Sequence, residues 1–284
     1  MKLIRFGTFN KEKPGVLVND ICYDVSSYIK DYDEAFFRED GLVYLSSIMN
    51  RKGSSLPMVD KGIRIGSPIA RPSKIVCVGM NYADHAKEIN IPTPPEPVIF
   101  MKATSAFSGP YDDILLPLNS VKTDWEVELA VVIGKEASYI KEADAMNYVA
   151  GYSILNDLSE REYQMERGGT WDKGKGCNTF APMGPWMVTK NQLKDPHNLR
   201  LWLSLNGTIM QDSNTRNLIF NIPYLIAYIS HFMTFLPGDV LCTGTPGGVG
   251  TGRNPKVFLK EGDMLTLGID GLGASRQVVK NTYL

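Results

Sequence analysis

Three stretches make this a mainly β chain of the α+β class. Trp125 to Gly134 alternates: Trp125, Val127, Leu129, Val131 and Ile133 share one side of an extended strand, and Glu126 and Glu128 share the other. Leu199 to Leu205 also alternates, Asn206-Gly207 supplies a two-residue hairpin turn, and Thr208 to Gln211 returns. Near the N-terminus, Leu3–Phe6, Gly15–Val18 and Ile21–Val25 are short strand candidates, the last two joined across Asn19-Asp20.

Composition narrows the function. The chain has 284 residues and a formal net charge of -1, which argues against nucleic acid or an anionic membrane as main partner. It contains no 18-residue apolar run and no secretory pattern at its start, so a cytoplasmic protein is expected. The four cysteines are scattered without a C-x-x-C, which favours reduced, mostly buried thiols over a disulfide frame or a zinc site. With three histidines in all, a site of several His ligands is not expected.

Residues 1–70 read as a small β-rich domain, with a polar, partly helical piece after its strands. Residues 71–284 read as the larger domain, expected to carry any catalytic site, and are entered through Gly66-Ser67-Pro68 and Arg71-Pro72-Ser73. Lys74–Gly79 is a strand. Met80 to Ile89 is a short helix cut off by Pro92, Pro94, Pro95 and Pro97. His85 and Glu88 are three apart and share a helix face, where a carboxylate raises the basicity of an imidazole. That pair is either a general base on a lid or an incidental surface pair. Val98–Met101 is a strand, and Lys102 to Pro117 is a polar loop with a second apolar run at Ile114–Leu116.

Glu126 and Glu128 pose the main question. Like charges that close repel unless a cation or protonation relieves them. They either flank a hard cation or face water on a solvated edge. Lys141–Asn147 reads as a short helix and Tyr148–Leu155 as a buried strand running into a helix. There Asp157 is either an N-cap or a further ligand, and Ser159-x-x-Glu162 fits a capping box. With Arg161 and Gln164 following, one helix face would present a carboxylate, a guanidinium and an amide, suited to an anionic substrate. Gly168 to Cys177 is a glycine-rich loop with two lysines, either an exposed basic loop or one that brings Lys175 to a ligand. A helix starts at Asn221-Ile222-Pro223 and runs to about Phe235. Thr243 to Gly250 lacks the Gly-Lys-Ser/Thr of a P-loop, but its backbone N–H groups and threonine hydroxyls can hold a carboxylate.

Taken together, Val76–His85, Glu126–Leu129, Asn156–Arg161, Asp195–His197 and Gly238–Pro246 resemble the fumarylacetoacetate hydrolase family, in order, over roughly residues 70 to 280. The resemblance implies a mixed β-sandwich roll, a homodimer, and Mg2+ (or Mn2+) held by Glu126, Glu128 and Asp157. It places a lid dyad at His85 and Glu88, the site lysine at Lys175, and substrate contacts at Arg161, Gln164 and Thr245. Three carboxylates without His or Cys independently suit a hard, oxygen-loving cation. The implied reaction is hydrolysis of a C–C bond in a 2,4-dioxo acid, giving pyruvate and a carboxylic acid. Ser159 to Cys177 resembles the subgroup acting on 2,4-diketo-3-deoxy sugar acids such as the fuconate or rhamnonate derivatives, whose members also carry the label ureidoglycolate lyase. Asn178 departs from the Asp of that subgroup. A lyase or decarboxylase acting on oxaloacetate or ureidoglycolate with the same metal is the alternative, and a non-enzymatic relative of the fold is a third reading.

Overall fold

The computed structural model describes residues 1–88 and 92–283, without the side chain of Ser54; Ile89, the end of the expected lid helix, lies outside them. Two sheets account for most of the fold, and short helices decorate them. The larger sheet runs, edge to edge, Ile21–Asp24, Lys13–Val18, Lys2–Phe6, Met187–Thr189, Val149–Asn156, Val127–Ile133, Val240–Cys242, Ile75–Gly79 and Val98–Lys102. Ile65–Gly66 adds to it by pairing with Lys2–Phe6. The N-terminal strands thus continue the sheet of the rest of the chain, with Lys2 opposite Val188 and Leu3 opposite Met187. The second sheet runs Thr208–Asn214, Arg200–Leu205, Met264–Ile269, Gly273–Asn281 and Ile114–Leu116.

Local chemistry explains the turns. Asn206 and Gly207 take φ of 51° and 83°, the left-handed pair that a two-residue hairpin needs. Asn19 and Asp20 do the same between the second and third strands, at 48° and 62°. The helix begun at Ile222 is capped by Asn221, whose side chain accepts from the Tyr224 N–H. It ends at Ser230, short of the expected Phe235, because Phe235 exchanges backbone hydrogen bonds with Ala137 instead. Glu142–Tyr148 is a 3-10 turn rather than an α-helix.

One apolar core joins the two sheets, with Leu129 and Val131 of the central strand in the same buried cluster as Leu201, Leu203 and Leu267. Every residue of Val127–Ile133 is buried, on both faces of the strand. A solvated edge at Glu128 is thereby excluded. The strand also starts two residues later than its alternation suggests, at Val127 rather than Trp125. None of the described helices is long and apolar enough to cross a membrane.

Candidate active site

The backbone brings the three acidic residues together. Val127 lies opposite Asn156 in the antiparallel pair, and the Asp157 N–H donates to the Glu126 carbonyl at 2.9 Å. Asp157 therefore follows directly on the strand next to the one carrying Glu128. Carboxylate oxygens of Glu126, Glu128 and Asp157 all lie within 4.8 Å of one another, and all three residues are buried. Buried carboxylates so close need compensation.

Three cations supply much of it. Lys175 Nζ lies 2.6 Å from Glu126 Oε2 and 2.9 Å from Asp157 Oδ2. Lys102 Nζ lies 2.6 Å from Asp157 Oδ1 and also donates to the Leu158 carbonyl. Arg161 donates to Glu126 Oε1 at 2.7 Å, to Asp124 Oδ2 at 2.9 Å and to Gln164 Oε1 at 2.9 Å. Burial alone would raise the Glu126 carboxyl, but Lys175 and Arg161 outweigh it and hold its pKa at about 2. Glu128 is different. Burial first, then Asp157, Cys242 and Glu126, pushes its carboxyl well above the usual range, against the weaker pull of Lys175. Burial would lower Lys175 and Arg161, yet their carboxylate neighbours raise both, so both stay charged.

The remaining expected site residues line or adjoin the same cavity, about 350 Å³ with its mouth included. His85, Arg161, Gln164, Lys175 and Thr245 border it together with Glu126 and Glu128. His85 stands on the Ala83–Glu88 helix, with Nδ1 3.1 Å from Glu88 Oε2. Both Glu88 oxygens also accept from the Gly248 N–H, at 2.9 and 3.1 Å. The Thr245 hydroxyl donates to the Val127 carbonyl and accepts from Gln211 Nε2.

Two local expectations fail. The capping box does not form: Glu160 is the cap of the Arg161–Met165 helix and accepts from the Glu162 N–H, while the Ser159 hydroxyl turns back to the Asp157 carbonyl. Asp157 is therefore off the helix, and the helix face carries Arg161 and Gln164 alone. The lysine loop is not an exposed basic loop at Lys175, which sits on a short helix, Asp172–Lys175, and is 1% exposed. The glycine-rich loop does hold carboxylates, but they are the protein's own. Gly244 N–H donates to Glu128, Gly248 N–H to Glu88, and the Gly250 and Thr251 N–H groups to Asp124.

Lys102, Asp124 and Gln211 were not anticipated. Lys102 extends the alternation of Val98 and Phe100, and Asp124 extends that of Glu126 and Glu128, so both signals were present in the period-two pattern. Gln211 Oε1 accepts from the Val127 N–H; nothing in its sequence surroundings marks it.

The donor set fits a hard divalent cation. It consists of anionic oxygens only, and each carboxylate oxygen that accepts a hydrogen bond keeps a further lone pair for a metal. The cluster counts four carboxylates with Asp124 against three fixed cations, so a divalent ion would leave it with one positive charge to draw in an acid.

The family described as fumarylacetoacetate (FAA) hydrolase C-terminal matches residues 74–280. This chain belongs to the fumarylacetoacetate hydrolase family. Its members are metal-dependent hydrolases and isomerases, and it is an enzyme of that class. A candidate hydrolase of Burkholderia ambifaria is 50% identical over 283 residues, 99% of each chain. Fumarylacetoacetate hydrolase from psychrophilic Exiguobacterium antarcticum shares 31% identity and a TM-score of 0.85, over 99% of this chain and 100% of that one. Maleylpyruvate hydrolase from Sphingobium sp. SYK-6, solved with manganese(II) and pyruvate, shares 29% identity and a TM-score of 0.83 over 100% of both chains.

Proposed function

We propose that the protein is a Mg2+-dependent hydrolase that cleaves the C3–C4 bond of 2,4-dioxo acids of the acylpyruvate type, yielding pyruvate and a carboxylic acid. The observation that carries this reading is the buried Glu126, Glu128 and Asp157 cluster opening on the same cavity as the His85–Glu88 pair. Glu126, Glu128 and Asp157 would hold the ion, which acts when bound as a Lewis acid toward negative charge developing on the 2-oxo acid. Mn2+ satisfies the same oxygen donors.

Arg161 and Gln164 hold the substrate carboxylate. Glu88 fixes the His85 tautomer by taking the Nδ1 hydrogen, leaving Nε2 to remove a proton from water. That water attacks the C4 carbonyl. Lys175, kept charged by Glu126 and Asp157, donates to the oxygen that becomes negative. The C3–C4 bond then breaks, its electron pair passing to the pyruvyl fragment, which takes up a proton. Thr245, held between Gln211 and Val127, shapes the floor.

A positioned His base distinguishes this reading from decarboxylation of oxaloacetate, which needs no attacking water. The test is turnover of acylpyruvates beside oxaloacetate, in wild type and His85→Ala, with products identified by mass spectrometry. Acylpyruvate cleavage that collapses in His85→Ala supports the proposal; oxaloacetate turnover that survives it, with no acylpyruvate cleavage, refutes it. A homodimer in the cytoplasm belongs to the proposal on family grounds, and light scattering tests the dimer.

A further inference from the structure

The cavity has two unlike walls. One carries the charged groups described above. The other is apolar: Val78, Met80, Phe100 and Trp171. The Trp171 and Phe100 rings pack with centroids 5.2 Å apart. Trp171 also lies against the backbone of Gly79, where an added Cβ would come within 2.5 Å of the indole. Met80 has a φ of 54°, a left-handed conformation that a long side chain rarely adopts. The Phe100 ring centroid is 4.9 Å from Lys175 Nζ, so aromatic surface begins one side chain away from the carboxylates.

We infer that this wall receives the substituent beyond C4, and that the preferred substrates are 2,4-dioxo acids with an apolar tail rather than a hydroxylated one. The inference rests on the acylpyruvate reading above and narrows it. In the proposed mode Arg161 and Gln164 serve the substrate carboxylate and Lys175 the C4 oxygen, so none of them is left to pair with a tail hydroxyl. Arg161 is divided among Asp124, Glu126 and Gln164, and Lys175 between Glu126 and Asp157. The Thr245 hydroxyl is taken by Val127 and Gln211. Among the described residues of the apolar wall, the Trp171 indole N–H is the one polar side-chain group. A tail hydroxyl seated there gives up water and gains no comparable partner, whereas a methylene gains from leaving water. The sugar-acid substrates implied by resemblance carry one hydroxyl on this part of the molecule, at C5 beside a methyl, and the wall disfavours that hydroxyl.

The test compares 2,4-dioxohexanoate with its 5-hydroxy counterpart on the Mg2+-loaded enzyme, with oxalate binding measured in parallel as a probe of the charged wall alone. The expected result is a kcat/KM at least about 10-fold higher for the apolar acid, the scale of one buried hydroxyl left without a partner. Trp171→Gln should narrow that preference and cost the apolar acid more than it costs oxalate. Met80→Gln, nearly isosteric, gives the same comparison if Trp171→Gln does not fold. Equal or better turnover of the hydroxylated acid overturns this inference while leaving the acylpyruvate reading standing. Oxalate binding with no turnover of either acid overturns the acylpyruvate reading itself, and the inference with it.

Discussion

Lys102 Nζ lies 2.6 Å from Asp157 Oδ1, and both side chains are wholly buried. Lys102 does not border the cavity, whereas Lys175, on the other oxygen of the same carboxylate, does. The two lysines therefore differ in place: one meets Asp157 from behind, the other faces the cavity. Lys102→Met leaves half of that carboxylate uncompensated. Removing one partner of a buried pair costs roughly 3–5 kcal/mol, and the lower end is expected here because Lys175 still pairs Asp157. Denaturant unfolding of the metal-free variant measures this; a midpoint equal to wild type would show that Lys102 carries no such load.

Metal binding should release a proton. Glu128 is held protonated above the usual carboxylate range by burial and by Asp157, Cys242 and Glu126, yet ligation needs its carboxylate. The sign follows: as pH rises from the ordinary Glu range toward the elevated value, less work is spent on deprotonation, so affinity increases and then levels off. Glu126, at about 2, is ionised throughout and adds no slope. Calorimetry in buffers of different ionisation enthalpy reads the proton count directly. Affinity that falls with rising pH over this range would contradict the assignment.

The Glu88 carboxylate joins the His85 ring to the Gly248 N–H. Glu88→Gln keeps an acceptor for Gly248 but removes the carboxylate that receives the His85 Nδ1 hydrogen bond. Turnover should drop by roughly 10-fold or more, within the range of general-base effects, with little change in thermal stability. His85→Ala should lose roughly 10²–10⁴-fold. Steady-state kinetics beside a melting curve separates this from misfolding: equal losses of Tm and kcat would point to a structural pair only.

Much of the architecture could be read from period-two patterning, because strands with one or two buried faces write their register into the chain. The Asn206-Gly207 and Asn19-Asp20 turns were legible for the same local reason, their tolerance of positive φ. From the residues alone the acidic triad was visible only as a question at Glu126 and Glu128, and Asp157 had two readings; the family resemblance implied all three together, and the antiparallel register joins Asp157 to Glu126. What stayed hidden was long-range. Gln211 reaches Val127 across 84 positions, and the glycine-rich loop meets Asp124 and Glu128 of one segment and Glu88 of another. No local pattern encodes such pairings. The capping box failed because the helix begins at Arg161, one residue later than Ser159 would cap, so Glu160 takes the cap position and Ser159 stays in a short strand.

The most direct measurement is a titration of chelator-stripped protein with Mg2+, followed by acylpyruvate turnover on the same samples, for wild type and Glu128→Gln. The expected result is one ion per wild-type chain, activity that returns in step with it, and neither in the variant. Full turnover in stripped Glu128→Gln would show that the carboxylate cluster is not where the chemistry depends on metal.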